Sequence, residues 1–196
     1  DKNAVVLVVC TELCTLHFLK DLDMNAVTSN ALFADGSAAV LLSSNQDFIK
    51  DNSIKIKGFY SKLLLSGKNE MAWDINSTAF KMILTEAVPE ILRNNIKELI
   101  SHALNHYELS LKDITHWAIH PGGRKILDYI EFMLELTNDE LASSYKILKN
   151  YGNMSSPTIL FVLKDLFDNN HSKPINIFSA AFGPGLTIET MNLSNS

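Results

Sequence analysis

The run Ala4-Val5-Val6-Leu7-Val8-Val9-Cys10 is apolar without a break and rich in β-branched residues, which predicts a central strand covered on both faces. Residues 24–33 follow as a short helix ending at the turn signal Ala34-Asp35-Gly36, and residues 37–43 as a second strand. Residues 54–64 alternate apolar and polar positions, as a half-exposed strand does, and residues 71–75 and 80–84 predict two more. At Val88-Pro89 the period changes. Ile91, Leu92, Ile96, Leu99, Ile100 and Leu104 recur at helical spacing, with proline in the first turn, so a long amphipathic helix runs to about His106. Residues 115–120 predict a short buried strand, a Gly-Gly turn comes next, and residues 125–136 predict a helix. Asp139 opens another helix, Ser156 or Pro157 opens an apolar one over 158–167, and residues 175–182 and 187–193 close the chain as strands. Strands interleaved with covering helices specify an α/β layered domain with helices on both faces of a mixed sheet. The loop 45–52 is the expected seam.

Composition narrows the function classes. With 196 residues and 46% hydrophobic content the chain can bury a real core. A formal net charge of -5 offers no basic field for nucleic acid. No apolar run approaches the roughly 18–20 residues of a membrane span. The start, Asp1-Lys2-Asn3-Ala4, lacks the basic and apolar regions of a signal peptide, which makes the cytoplasm the default location. The only two cysteines, Cys10 and Cys14, cannot build a disulfide framework, and no Cys or His pairs stand at zinc-ligand spacing, so reduced thiols and no metal are expected. Because a buried-strand pattern begins at once, a further element is expected upstream of Asp1.

Three segments carry candidate chemistry: His120-Pro121-Gly122-Gly123 after a strand, Tyr151-Gly152-Asn153-Met154-Ser155-Ser156 before a helix, and Phe182-Gly183-Pro184-Gly185-Leu186-Thr187-Ile188-Glu189. Each sets small or reactive residues at the end of an element, where backbone amides and side chains can converge on a ligand. Together with Val6–Glu12 and Ala31–Ala39, and in this order, they resemble the type III polyketide synthases of the chalcone and stilbene synthase kind. The resemblance runs from about residue 5 to residue 193. It implies the thiolase-like fold of αβαβα layers, with residues 1–48 as the end of the N-terminal half and residues 52–196 as the C-terminal half. The implied activity is acyl transfer by decarboxylative Claisen condensation of malonyl-CoA onto an acyl-CoA starter. Coenzyme A thioesters would be the substrates, no cofactor is expected, and family members are homodimers.

Within that resemblance His120 activates a cysteine thiolate and then joins Asn153 in hydrogen-bonding the thioester oxygen as charge develops. Taken alone, His120 reads as a satisfied histidine at a strand end, and Asn153 as the cap of the helix starting near Ser156. The family's nucleophile would lie before Asp1, so this chain by itself is expected to be inactive. Cys10 reads as a small core residue. Cys14 and His17 fall on the cavity wall, although a spacing of three also permits a dyad. Phe33 and Phe80 match two gatekeeping phenylalanines, while Ser155, Gly183 and Pro184 would lie against the reacting centre, with Ala181 where the family usually has glycine. Arg124 and Lys125, at a helix start, read either as a coenzyme A contact or as two solvated charges. The alternatives are a related β-ketoacyl-acyl carrier protein synthase III-like enzyme and a non-catalytic fragment needing its N-terminal half. Cys14, His17, Leu22 and Met24 suggest a cavity for fatty acyl starters.

Overall fold

The computed structural model describes residues 1–18, 24–49, 53–75, 80–137, 139–169 and 174–195. Strands β1 (Val5–Glu12) and β2 (Gly36–Ser43) form an antiparallel pair in register from Val5↔Ser43 to Glu12↔Gly36. A 3-10 turn, Cys14–His17, and helix α1 (Met24–Leu32) lie between them. The main sheet has the order β3 (Lys55–Leu63), β8 (Thr187–Ser194), β7 (Asn176–Gly183), β6 (His116–Ile119). Only β6 and β7 are parallel, so the sheet is mixed. Strands β4 (Met71–Ile75) and β5 (Phe80–Leu84) make a separate hairpin.

Period-two alternation sorts the main sheet into two faces. Trp117, Ile119, Phe178, Ala180 and Ile188 pack with α2 (Ala87–His106) and α3 (Arg124–Leu134); of the stripe predicted for α2, Leu92, Ile96, Leu99, Ile100 and Leu104 are buried and Ile91 is partly so, and Val88 and Ala103 are buried beside them. The alternate positions Ala118, Ile177 and Leu193 pack with Val162, Leu163 and Leu166 of α5 (Ser156–Asn169). Helix α5 also packs against β1 and β2. It is therefore a central layer between two sheets, and α4 (Ala142–Tyr151) flanks it.

Two expectations are corrected. Strand β1 is not covered on both faces: Val5, Leu7 and Val9 are 47%, 62% and 59% exposed. It pairs on one edge only, with β2, so among the described residues its β-branched run has a single strand neighbour and α5 to pack against. Asp139 does not open a helix either. Thr137 N donates to Glu140 Oε2 at 2.7 Å and Glu140 N to Thr137 O at 3.0 Å, which closes a turn and delays α4 to Ala142. The expected seam 45–52 runs into residues 50–52, and Leu22 is also outside the described residues. No helix among the described residues is long and apolar enough to cross a membrane.

The β1–β2 unit meets the segment between α4 and α5 through a parallel bridge of Phe33 with Asn153. Asn153 N donates to Leu32 O and Ala34 N to Asn153 O, both at 2.9 Å. Gly152, at φ 73°, makes the approach possible, because a Cβ there would lie 3.1 Å from Leu32 O and 3.3 Å from the Ala34 Cβ. Gly152→Ala is expected to cost about 1–3 kcal/mol, from left-handed backbone and crowding together. Urea unfolding of both proteins checks this, and an unchanged midpoint would show that the bridge is not held by the glycine.

Candidate active site

His120 extends β6 by one residue, its N–H donating to Ala180 O at 2.8 Å. Ser144 Oγ donates to Ile119 O at 2.7 Å and pins the strand end from α4. Pro121 cannot continue the ladder, and Gly122 N turns back to His120 O at 2.9 Å. The imidazole is thereby buried at 7% exposure beside Gly122, its Cδ2 and Nε2 being 3.6 and 3.9 Å from where a Gly122 Cβ would stand. Burial pushes its pKa down from 6.5 to about 4, so His120 is neutral at physiological pH.

Asn153 follows the left-handed Gly152 and is 4% exposed. Its Oδ1 accepts from Ser155 N at 2.9 Å, and Thr158 Oγ1 accepts from Met154 N at 2.8 Å. These bonds shape the turn that leads into α5, so Asn153 serves as a turn residue just ahead of the helix. Its Nδ2 donates to Gly122 O at 3.2 Å. The side chains of His120 and Asn153, 33 positions apart in sequence, are thus gathered at one glycine.

Two cavities flank α1. The smaller, about 100 Å³, is lined by Cys14, His17, Phe33 and Ser155, four of the residues singled out from sequence, together with Trp73 and Met82. Trp73 and Met82 are a cross-strand pair of the β4–β5 hairpin, and the Trp73 ring stands 5.2 Å from that of His17. Phe80 opens β5, and its side chain lies outside the described residues. In the sequence Met82 follows the candidate Phe80 by two positions, the period of one strand face. That period was the signal that could have identified Met82, whereas Trp73 depends on a register that composition does not reveal.

Electrostatics argue against a Cys14–His17 dyad. Burial raises the Cys14 thiol pKa, and the carboxylates of Glu12 and Asp35 raise it further, so the thiol stays protonated near neutral pH. The turn Gly183-Pro184-Gly185 does not line this cavity. Gly185 N donates to Met71 O at 2.7 Å, which ties the turn to β4.

The larger cavity, about 660 Å³, is lined by Val27 and Thr28 of α1, Pro89 of α2, and Gly122, Gly123 and Lys125. Arg124 lies at its rim, and both Arg124 and Lys125 are exposed at the start of α3. Gly122 therefore connects this cavity to His120 and Asn153. Among the described residues no group of three or more His, Cys, Asp or Glu side chains is placed to hold a metal.

Residues 55–195 match the family described as chalcone and stilbene synthases, C-terminal domain. The chain belongs to this family. It is 34% identical, over 98% of its length and 54% of the relative's, to a Bacillus subtilis protein provisionally named a chalcone synthase. It is 32% identical to the Mycobacterium tuberculosis α-pyrone synthesis polyketide synthase-like Pks18, covering 94% of this chain and 48% of that protein. Among solved structures, PKS-I of the brown alga Ectocarpus siliculosus superposes with a TM-score of 0.88 at 27% identity, covering 99% of this chain and 53% of that one. The C-terminal type III polyketide synthase domain of Steely1, a Dictyostelium type I/III hybrid, gives 0.88 at 30% identity, covering 97% and 54%. The fold is accordingly thiolase-like, as expected from the sequence motifs. The chain spans about half the length of the curated relatives it matches.

The depressed His120 pKa fixes the sign of a stability profile. The unfolded histidine binds its proton more tightly than the folded one, so the contribution of neutral His120 is complete above about pH 6.5 and is lost as pH falls toward 4. The loss is expected to be of order 3 kcal/mol across that window. Urea unfolding at about pH 7 and about pH 4.5, beside a His120→Asn variant lacking this titration, isolates it. An equal slope in both proteins would refute it.

Proposed function

We propose that this chain is the C-terminal part of a type III polyketide synthase that condenses malonyl-CoA with an acyl-CoA starter. The observation that supports this reading best is the convergence of His120 and Asn153 on Gly122 at the wall of a cavity of ligand size. Loss of carbon dioxide from a malonyl thioester breaks the bond to the carboxylate carbon and leaves an enolate. A hydrogen bond from each of the two side chains to the enolate oxygen would stabilise that charge in a site where water is excluded. The enolate carbon would then attack an acyl thioester held on a cysteine, forming the new carbon–carbon bond and expelling thiolate.

The cysteine would come from a segment upstream of Asp1. A thiolate brought beside His120 favours the imidazolium and would lift its pKa from the value set by burial alone. The exposed apolar surface of β1 and β2 supports the same requirement for an N-terminal half, and an inactive chain without it. The 660 Å³ cavity would take the pantetheine arm of coenzyme A, with Arg124 and Lys125 near its phosphates. Cys14, His17, Phe33 and Ser155 would hold the acyl chain, Met82 joining Phe33 and Phe80 at the passage. Gly183 and Pro184 would act from farther off, by stiffening the turn behind β7. The complete protein would work in the cytoplasm as a homodimer.

In the protein extended upstream, assayed with a panel of acyl-CoA starters and labelled malonyl-CoA, His120→Ala and Asn153→Ala are each expected to lower kcat by roughly 10²–10³. Undiminished product from either variant would remove that residue from the mechanism, and no product or carbon dioxide with any starter would remove the reading. Trp73→Ala opens the smaller cavity at its His17 side and is expected to shift products toward longer acyl starters or further extension. Mass spectrometry of the product mixture decides this, an unchanged distribution counting against Trp73 as a boundary of the acyl site.

A further inference from the structure

Arg124 stands on a ridge between two hollows. It borders the larger cavity together with Lys125, and it also borders a groove between α3 and α4 whose other residues include Asp128, Glu131 and Tyr145. Its side chain is 81% exposed, and its Nε lies 3.7 Å from Asp128 Oδ2, one helical turn away. The other oxygen of that carboxylate, Asp128 Oδ1, accepts from the Tyr145 hydroxyl at 2.8 Å, and the same hydroxyl lies 3.2 Å from Glu131 Oε2. A group on α4 thus fixes a carboxylate on α3, and that carboxylate stands at ion-pair distance from the arginine that borders the cavity.

We propose that Asp128, fixed by Tyr145, is a positioning residue that competes with the phosphate groups of a coenzyme A thioester for Arg124 and so weakens the hold on coenzyme A. The inference rests on the coenzyme A reading above. A guanidinium engages a phosphate best through its planar fork, and its charge is diminished for an incoming anion while a carboxylate sits at Nε. A phosphate at the cavity rim must therefore draw Arg124 away from Asp128 and overcome the carboxylate's own repulsion. An exposed ion pair of this kind is weak, so the competition is worth about two- to fivefold in affinity and does not abolish binding. Such a balance suits the proposed chemistry: each transfer of an acyl group from coenzyme A to the cysteine leaves one free coenzyme A that must depart before the next thioester enters.

The test is calorimetric binding to the protein extended upstream, with coenzyme A and with pantetheine, which shares the thiol arm but carries no phosphate. Asp128→Asn is expected to bind coenzyme A about two- to fivefold more tightly, with pantetheine unchanged and the gain absent in an Arg124→Ala background. Tyr145→Phe, which leaves both charges in place, should move affinity the same way by less and gives an independent route should the first variant fold poorly. Unchanged or weaker coenzyme A binding in Asp128→Asn overturns the proposal, as does a gain that survives without Arg124. Wild-type protein that binds no coenzyme A overturns the coenzyme A reading itself, and with it this inference.

Discussion

Two backbone hydrogen bonds at Asn153 hold the site together. Asn153 accepts from Ala34 N and donates to Leu32 O, so the end of α1 and the start of β2 are joined to the turn that launches α5. Each bond contributes about 1 kcal/mol net, and its larger consequence is direction. With its backbone fixed on the α1 side, Asn153 sends its side chain the other way, toward Gly122 O. Phe33, the opposite member of the bridge, lines the smaller cavity. The contact tolerates only small residues, since a Cβ on Gly36 would lie 2.6 Å from the Met154 sulfur. A second tie, Ser156 Oγ donating to Glu12 Oε1 at 2.6 Å, braces the same junction from β1. Glycines in two separate motifs thus serve a single surface.

Legibility in the sequence followed the range of the interaction. Helix α2 was readable because its buried stripe repeats within one element, and β6 to β8 because short apolar runs bounded by glycine and proline leave few alternatives. His120 and Asn153 were readable through their flanking glycines. Strand β1 was misread as covered because a β-branched run reports the surroundings a strand is suited to, and nothing local in it records how many neighbours it has. Trp73 and Met82 escaped notice for a related reason: the hairpin register makes them a pair, and only the packing of the hairpin beside the Cys14–His17 turn makes them a wall. The hold of Tyr145 on Asp128 joins two helices and has no periodic trace at all.

The titratable groups divide by what surrounds them. His120 is desolvated and, among the described residues, has no side chain hydrogen-bonded to its ring, so its neutral form is favoured and it can present either a donor or an acceptor. Cys14 is partly desolvated and sits near two carboxylates, so its neutral form is favoured too, and for a thiol that means loss of nucleophilicity. Low polarity therefore has opposite chemical value at the two positions. It keeps the histidine responsive to any charge brought next to it, and it keeps the cysteine inert as part of a wall. Activation of a thiol needs a cationic or hydrogen-bond-donating neighbour, and the buried imidazole becomes such a neighbour only when a thiolate shares its pocket. The two ionisations would have to arise together, as properties of the pair, and on the proposed reading His120 and Asn153 would then be the receiving half of a condensing site.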